Sequence, residues 1–201
     1  MVLVALARSG DFLTQAALFE EATLPSGFVL RDAFLAREEE EALLEAIRTL
    51  ELQEARYKEY TARRRVASFG SGFDYDANEL TPAPAIAPFL LSLRDKVAAW
   101  VGVDAEAFGY ALVSEYRPGT ALGWHRDVPQ FEKIAGVSLG TAGRMRFRPY
   151  PPRKGDPTFA LDLAPRSAYV LQDEVRWEWQ HSIAPTPGLR YSITFRTRAV
   201  R

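Results

Sequence analysis

The sequence predicts an α+β fold that is mainly β, with two packed sheets in a sandwich or jelly roll and N-terminal helices on one sheet. The first half contains two stretches with apolar residues at helical spacing, and the second half contains short strand-like stretches separated by Gly and Pro. A chain of 201 residues suffices for one core, and two would be cramped. We therefore expect a single domain over 1–201, with a helical and loop-rich part over 1–107 and a jelly-roll part over 108–201.

Two helices are predicted in the first half, over 36–52 and 86–101. Glutamates crowd the first turns of the first helix, where the helix dipole favours negative charge. Prolines mark the approach to the second helix, as is typical of helix starts. The apolar faces consist of Leu43, Leu44, Ile47 and Leu50 in the first helix and of Ile86, Phe89, Leu90, Leu93, Val97 and Trp100 in the second.

Eight short strands are predicted after residue 108, where β-branched and aromatic residues recur between Gly and Pro. This many short strands without helices between them favour two packed sheets over a parallel α/β sheet. We place Trp177 and Trp179 on one strand and interpret both as core-facing or lid-supporting. The strands are expected near 109–116, 121–126, 134–140, 144–149, 158–163, 167–172, 178–184 and 190–198.

Composition excludes several kinds of site. The chain has no cysteine, which excludes a disulfide framework, a cysteine zinc site and a thiol nucleophile. No segment reaches transmembrane length, so we expect no membrane partner. We also expect a cytoplasmic monomer, and the lack of cysteine is compatible with the cytosol. The net charge of −1 is unlike that of proteins that grip duplex DNA tightly, although 56–65 and 144–154 are locally basic. A solvated surface explains these two segments equally well.

The two histidines of the chain suggest a metal site. His125 and Asp127 are two residues apart, and such residues project to the same side of an extended strand. His181 lies on another predicted strand. Two histidines and one carboxylate are the ligand set of non-haem Fe(II) oxygenases, in which open positions remain for cosubstrates. Zinc is also compatible with this set.

The last predicted strand supports the oxygenase interpretation. Arg190, Ser192, Thr194 and Arg196 share one face of this strand, because side chains alternate between the two faces. Arginines that point into a small barrel are costly unless an anion meets them. A dicarboxylate fits, since guanidinium pairs bidentately with carboxylate. An edge strand with its polar face in water is the alternative.

Together these motifs resemble those of the AlkB-like 2-oxoglutarate oxygenases. His-x-Asp, a distant His and Arg-x-[Asn/Ser]-x-Thr-x-Arg nine residues further on form the centre of the resemblance, which covers about 63–198. Segment 113–119 is similar to the family's Asn-x-Tyr-x-x-Gly strand and turn, 137–140 to the strand beside the metal, and 64–70 to the nucleotide-recognition lid. The resemblance implies a double-stranded β-helix (jelly-roll) core.

The resemblance also implies the chemistry. It makes His125, Asp127 and His181 the ligands of Fe(II), with 2-oxoglutarate and O₂ as cosubstrates, and it assigns the distal carboxylate of 2-oxoglutarate to Arg190 and Tyr116. Such enzymes couple oxidative decarboxylation of 2-oxoglutarate to hydroxylation of a C–H bond. An N-methyl group hydroxylated in this way is lost as formaldehyde, so the implied activity is demethylation in alkylation damage repair.

Three further pocket residues and two departures follow from the same comparison. Arg196 neutralises the carboxylate near the metal, Ser192 lines the same pocket, and Ser114 stands where many relatives have Asn. Pro129 occupies a position at which some repair enzymes have an acidic residue, and Phe69 replaces a tyrosine of the lid. These departures leave the iron chemistry intact and affect only the choice of substrate.

The implied substrate is an alkylated base in single-stranded nucleic acid or flipped out of a duplex. Phe69, Tyr75 and Trp124 are candidates for base stacking, and Arg64 and Arg148 are candidates for phosphate contacts. Core or lid packing is the alternative for the aromatic residues.

Two other functions compete with demethylation of nucleic acid. The same chemistry on a protein side chain or small molecule is compatible with the near-neutral charge and with Pro129. A catalytically silent binding module is the third hypothesis. Loss of a metal ligand or of a pocket arginine would favour it, and the sequence retains all of them.

Overall fold

The computed structural model describes residues 24–57, 60–74 and 79–200. Helices pack on one face of a seven-stranded sheet, and a four-stranded sheet packs on its other face. In the described residues no helix has the length and apolar composition that a membrane span requires. The elements are β1 (Phe28–Arg31), α1 (Arg37–Arg48), β2 (Gln53–Tyr57), β3 (Tyr60–Phe69), β4 (Ser71–Asp74), β5 (Glu79–Pro82), α2 (Pro88–Val101), β6 (Tyr110–Tyr116), β7 (Leu122–His125), β8 (Phe131–Gly140), β9 (Gly143–Pro149), β10 (Phe159–Leu163), β11 (Ala168–Leu171), α3 (Asp173–Trp177), β12 (Trp179–Ile183) and β13 (Arg190–Arg198).

The two large sheets are antiparallel and form the predicted jelly roll. The major sheet has the strand order β1-β11-β8-β13-β6-β3-β2, and the minor sheet has the order β10-β9-β12-β7. Strand β13 lies in the middle of the major sheet, between β8 and β6. The arginines of β13 are therefore held by a neighbouring strand on each side, which excludes the interpretation of β13 as an edge strand in water.

One hydrophobic core lies between the helices and the major sheet. Ile193 and Phe195 of β13 are completely buried there and pack in the same cluster as Leu90 and Val97 of α2. Polar contacts hold α1 in place as well, because Glu40 accepts a 2.8 Å hydrogen bond from the backbone N–H of Gly140 at the end of β8. The helices thus support the outer face of the sheet and leave its inner face free for other contacts.

A second core lies between the two sheets. Met145, Phe147 and Leu163 of the minor sheet are completely buried against Ile134 of the major sheet. Phe28 of β1 adds an edge-to-face contact to Phe147, with 5.1 Å between ring centroids. This core occupies one part of the space between the sheets, and polar side chains line the rest of that space.

The strands predicted after residue 108 are confirmed. All eight are present as β6 to β13, and their ends differ from the predicted ends by at most about three residues. The two helices are confirmed with shorter bounds. Helix α1 ends at Arg48, because Thr49 turns back and donates its hydroxyl to the carbonyl of Ala46. Helix α2 begins at Pro88, which fits the first turn of a helix because that position needs no N–H donor.

The interpretation of the first half as helical and loop-rich was wrong in its omission of strands. Residues 28–82 contribute β1 to β5, and three of these strands extend the major sheet at both ends. Strand β3 pairs with β6, so that Arg65 lies opposite Glu115 and donates to it at 3.1 Å. Arg65, one of the charged residues that suggested a solvated surface, thus pairs with a carboxylate on the neighbouring strand.

The placement of Trp177 and Trp179 on one strand was also wrong. Trp177 ends the short helix α3, and its side chain is 39% exposed. Trp179 begins β12 and packs against Phe159, with 5.6 Å between ring centroids. The helical turn therefore separates the two indoles, and of the two only Trp179 packs against the core between the sheets.

Candidate active site

His125, Asp127 and His181 meet at the inner face of the minor sheet. His125 ends β7 and lies directly opposite His181 of β12 in the strand register. The two imidazole rings are 4.2 Å apart between centroids, and Nε2 of His181 is 3.6 Å from Oδ2 of Asp127. One potential ligand atom of each residue lies within 4.8 Å of the others. In the described part of the chain this is the one group of His, Cys, Asp or Glu with such geometry.

The contacts around this cluster select which atoms face a metal. Nδ1 of His125 is 2.9 Å from the carbonyl oxygen of Gly123, so that an N–H there leaves Nε2 as the free lone pair. Nε of Arg196 donates to Oδ1 of Asp127 at 3.0 Å, which leaves Oδ2 on the side of His181. A histidine that donates its second nitrogen to a carbonyl and a carboxylate held by a donor are the usual supports of metal ligands.

The protonation states of the three residues also suit a metal. Burial and the neighbouring His125 lower the pKa of His181 to about 3, and burial lowers the pKa of His125. Burial alone raises the pKa of Asp127, but the charge of Arg196 and the two histidines outweigh it and lower that pKa. At neutral pH the site therefore offers two neutral imidazoles and one carboxylate, the forms that bind a divalent cation.

Arg190 supplies a cation at the inner end of the same cavity. Its side chain is 1% exposed, and its guanidinium lies over the ring of Tyr116 at 5.1 Å from the centroid. Nε donates to the Ser138 hydroxyl at 3.2 Å, whereas the buried Nη1 has no hydrogen-bond partner in the described residues. A buried guanidinium that no carboxylate neutralises favours an anionic ligand, because burial of an unpaired charge is costly.

Two glycines create the space that the guanidinium and a neighbouring phenol occupy. A Cβ on Gly143 would lie 2.5 Å from Nε of Arg190, and a Cβ on Gly136 would lie 2.3 Å from the ring of Tyr169. Tyr169 lines the cavity, and burial raises the pKa of its hydroxyl to about 12, so the phenol stays neutral. The local sequence of β8 and β9 thus shapes the cavity around Arg190.

The other predicted cosubstrate residues line this cavity too. Ser192 of β13 and Ser114 of β6 are paired across the two strands, and both are buried. Burial opposes ionisation of Tyr116, but the charges of Arg64 and Arg190 outweigh burial and lower its pKa. The cavity wall consists of Arg64, Leu112, Ser114, Tyr116, Leu122, His125, Asp127, Ile134, Met145, Tyr169, His181, Ile183, Arg190, Ser192, Thr194 and Arg196.

The charge of the cavity suits a dianion next to a metal. Arg64, Arg190 and Arg196 line it, and Asp127 is the carboxylate among its lining residues. Three guanidiniums against one carboxylate leave a positive excess. A dicarboxylate such as 2-oxoglutarate carries two negative charges, which two of the guanidiniums can pair with directly.

The structure separates the predicted substrate residues. Arg64 lies inside the cavity and hydrogen-bonds Tyr116, which was not expected of a phosphate contact. Phe69 is buried in the core beneath the helices, and Trp124 lies on the outer face of the minor sheet under two arginines, so neither lines the cavity. These two positions correct the expectation of base stacking in the pocket. Tyr75 lies outside the described residues.

Sequence reasoning missed two pocket residues. Ser138 is the hydroxyl that holds Nε of Arg190, and Tyr169 lies against Gly136. Ser138 lies in the segment that was matched to the strand beside the metal. Because it alternates with the apolar Val137 and Leu139, the sequence could have identified it as a residue that faces the cavity side of the sheet. Tyr169 gave no such signal, because a tyrosine in a short apolar strand is ordinary core.

Comparisons with known proteins agree with this geometry. A profile described as the 2OG-Fe(II) oxygenase superfamily matches residues 27–196, which is most of the chain. This span contains nearly all of the two large sheets, the three potential metal ligands, and Arg190 and Arg196 of β13.

Two curated relatives and one solved structure are similar to the chain. The mouse (Mus musculus) tRNA (carboxymethyluridine(34)-5-O)-methyltransferase ALKBH8 is 29% identical over 168 residues, 81% of this chain and 25% of that protein. The Arabidopsis thaliana protein named alkylated DNA repair protein ALKBH8 homolog is 27% identical over 196 residues, 86% of this chain and 55% of that protein. The chain thus spans between a quarter and about half of these relatives. The structure of OsALKBH1 has the same fold, with a TM-score of 0.66 at 14% identity over 87% of this chain and 100% of that one.

Proposed function

The chain belongs to the 2OG-Fe(II) oxygenase superfamily, and from this premise we propose that it oxidatively demethylates N-alkylated bases in DNA or RNA. The enzyme class is a dioxygenase that uses Fe(II), 2-oxoglutarate and O₂. The choice of nucleic acid rests on likeness to proteins whose names refer to tRNA and to alkylated DNA repair. The proposal concerns this domain and not the further length of those relatives.

One observation carries the assignment of the chemistry. The fully buried guanidinium of Arg190 and the cluster of His125, Asp127 and His181 line a single cavity. At the cluster, two neutral imidazoles and Oδ2 of Asp127 offer lone pairs to a divalent metal, and a carboxylate at Arg190 would neutralise a guanidinium that has no carboxylate partner in the described residues. Zinc alone leaves the positive charge at Arg190 without a role, so the arrangement favours iron with 2-oxoglutarate.

Bound iron supplies the oxidation itself, in which O₂ and 2-oxoglutarate are consumed, succinate and CO₂ are released and a C–H bond of the substrate is hydroxylated. The protein supplies positions and charges. Arg190 and Tyr116 bind the distal carboxylate of 2-oxoglutarate, with Ser192 and Ser114 beside it. Arg196 keeps Asp127 ionised and oriented toward His181.

The product side needs no further group on the protein. After hydroxylation of the N-methyl carbon, its C–N bond breaks with the base nitrogen as the leaving group. Formaldehyde is released and the unmodified base remains. The substrate base must leave its stack to reach a cavity between two sheets, which favours single strands or a flipped base. Arg64 lies beside Tyr116 and is the charged side chain that we propose contacts the substrate.

The test is mass spectrometry of a single-stranded oligonucleotide with one 3-methylcytosine or 1-methyladenine, incubated with protein, Fe(II), 2-oxoglutarate and ascorbate. We expect the loss of one methyl group with wild-type protein and none with His125→Ala. Succinate that forms without loss of methyl would keep the oxygenase and reject this substrate, and would move the search to protein side chains or small molecules.

A further inference from the structure

The outer face of the minor sheet carries a row of arginines. Strand β9 alternates strictly, so that Met145 and Phe147 point into the core while Arg144, Arg146 and Arg148 point away from it. Arg126, which follows β7, is exposed near the same face. We call Arg126, Arg144, Arg146 and Arg148 the arginine face.

Aromatic rings hold these guanidiniums in place. Those of Arg146 and Arg148 lie 5.1 and 4.5 Å from the ring centroid of Trp124, and Arg126 lies 3.8 Å from that of Tyr150. Neighbouring strands add hydrogen bonds, from Nε of Arg146 to Ser182 at 3.0 Å and from Nε of Arg148 to Gln180 at 2.8 Å. Side chains that are already ordered lose less entropy when they bind a ligand.

The arginine face is poorly neutralised by the protein. Arg144 pairs with Asp162 at 3.1 Å, and both side chains are more than half exposed, so this ion pair is weak. In the described part of the chain the other three form no ion pair with a carboxylate. Four arginines and one aspartate leave a charge of +3 on a protein whose net charge is −1. The arginine face is therefore a local positive patch on a protein that is close to neutral as a whole.

The arginine face leads to the active site around one edge. Strand β7 is the edge strand of the minor sheet, and an irregularity in its pairing with β12 lets both Leu122 and His125 line the cavity. His125 points into the cavity and Trp124 points outward, while Arg126 stands between His125 and Asp127. Because β7 is the last described strand on this side of the sheet, a linear polymer bound to the outer face comes nearest to His125 at this edge.

We propose that the arginine face binds the phosphodiester backbone of the single-stranded nucleic acid that flanks the target base, an inference that rests on the proposed function. Arginine is the side chain that best matches phosphate, and phosphate contacts position a strand without reading its sequence. The ring of Tyr150 is 43% exposed beside Arg126 and offers a platform on which a flanking base can stack. Arg144, Arg146 and Arg148 follow one another at about 6.6 Å along the strand, which suits contacts to successive phosphates of an extended single strand.

The experiment measures fluorescence anisotropy of a labelled, unmodified single-stranded oligonucleotide with the full chain at several salt concentrations, in a deoxyribose and a ribose version. Arg146→Gln/Arg148→Gln removes two phosphate contacts. The slope of log K against log salt should become shallower by about 1.4, since each contact contributes about 0.7 for single strands. Between 50 and 200 mM salt, the affinity of this variant should fall about sevenfold less than that of wild type.

Two control variants distinguish the loss of charge on the arginine face from an effect on folding and from a change in the net charge of the protein. Arg146→Lys/Arg148→Lys keeps both charges and should keep the wild-type slope. Arg37→Gln/Arg48→Gln removes two exposed charges on α1, on the far side of the major sheet, and should also keep that slope. A Gln variant at 146 and 148 that binds like wild type, or a Lys variant that loses as much slope as the Gln variant, would overturn the proposal.

Turnover distinguishes this proposal from the proposed function. If the arginine face binds oligonucleotide as expected but no methyl group is lost, the proposed activity fails and the binding face stands. If methyl groups are lost with the same KM in wild type and in the Gln variant, the activity stands and the arginine face is rejected. A preference for the ribose or deoxyribose version identifies which nucleic acid is bound.

Discussion

Arg190 is a fully buried cation without a carboxylate partner in the described residues, and this determines its effect on the stability of the protein. Its contacts are the Ser138 hydroxyl and the ring of Tyr116. A guanidinium in such surroundings destabilises the ligand-free protein and stabilises the ligand-bound protein, because the carboxylate of the ligand compensates for the solvation by water that burial removes. The two effects can be measured separately.

We predict opposite effects of Arg190→Met with and without ligand. Without ligand the variant should be as stable as wild type or more stable, since an apolar side chain replaces an uncompensated charge. With Mn(II) bound to both proteins, 2-oxoglutarate at about 100 times the wild-type Kd should stabilise wild type by about 2.7 kcal/mol more and the variant by much less, because the variant lacks the cation that pairs with the distal carboxylate. Thermal unfolding measures both, and Arg37→Met on the surface of α1 serves as control. Equal stabilisation of both proteins by 2-oxoglutarate would contradict the role of Arg190.

The two histidines predict how the stability of the metal-free protein depends on pH. Burial lowers both pKa values below the ordinary 6.5, and that of His181 falls to about 3. As pH falls below about 6.5, the unfolded chain takes up protons that the folded chain excludes, so the free energy of unfolding decreases. Each histidine contributes up to about 1.4 kcal/mol per pH unit. Above pH 6.5 this contribution to stability is fully present.

Urea unfolding in chelator at pH 7.5, 6.5 and 5.5 measures this dependence. The loss should be concentrated between pH 6.5 and 5.5, and His181→Asn should show a shallower loss because it removes one titrating group. Identical pH profiles for the two proteins would mean that His181 does not titrate with a lowered pKa.

At the residue scale, the sequence predicted which residues cluster as potential metal ligands better than it predicted which aromatic residues line the cavity. Alternation along a strand correctly placed His125 with Asp127, but the same rule puts Trp124 on the opposite face, where the structure has it. Arg64 and Phe69 are an odd number of residues apart on β3, so only one of them could line the cavity. Applied to every candidate, the rule would have removed both aromatic residues from the pocket.

At the scale of elements, the contact between β3 and β6 determines whether Arg64 reaches the cavity. The two strands pair in register, and a buried carboxylate on the helix side links them. Glu115 is 7% exposed and accepts hydrogen bonds from Arg65, Arg117 and the hydroxyl of Tyr191. This network fixes the strand that carries Arg64 against the sheet that carries the cosubstrate residues.

Glu115→Ala should therefore reduce the free energy of unfolding by about 1–3 kcal/mol, because the Tyr191 hydroxyl and two guanidiniums lose their acceptor. Glu45→Ala removes an exposed pair with Arg48 on α1 and should change stability by less than about 0.5 kcal/mol. Urea unfolding at neutral pH measures both. Similar losses in the two variants would show that the buried network does not hold β3.

Element prediction succeeded where burial makes the pattern simple. Strands β6 and β8 to β13 combine apolar residues with Gly and Pro boundaries, so both type and place were predicted. Strands β2 and β3 were missed because their segment is rich in charged residues, and a single sequence does not show that one of them, Arg65, pairs with Glu115 across β3 and β6. Helix α3 has five residues, too few for a helical period to appear.

At the scale of the whole molecule, the jelly roll brings distant residues to one cavity. His125 and His181 are far apart in sequence, yet they are directly paired through β7 and β12 of the minor sheet. Arg190 reaches them from the centre of the major sheet. The metal ligands and the cosubstrate arginines thus belong to different sheets, and the sequence motif works only because the two sheets pack face to face.

Formation of succinate from 2-oxoglutarate tests this account most directly. Wild-type protein with Fe(II), ascorbate and O₂ should form succinate even without a substrate. His125→Ala and Asp127→Ala should each lower the rate by at least about 100-fold, because loss of a hydrogen-bonding partner of a metal ligand already costs about 10–100-fold and these variants lose the ligand itself. Arg37→Ala, on the surface of α1, should leave the rate unchanged. Succinate at equal rates in all four proteins, or none above the protein-free background in wild type, would contradict the assignment of His125, Asp127 and His181 as the iron ligands.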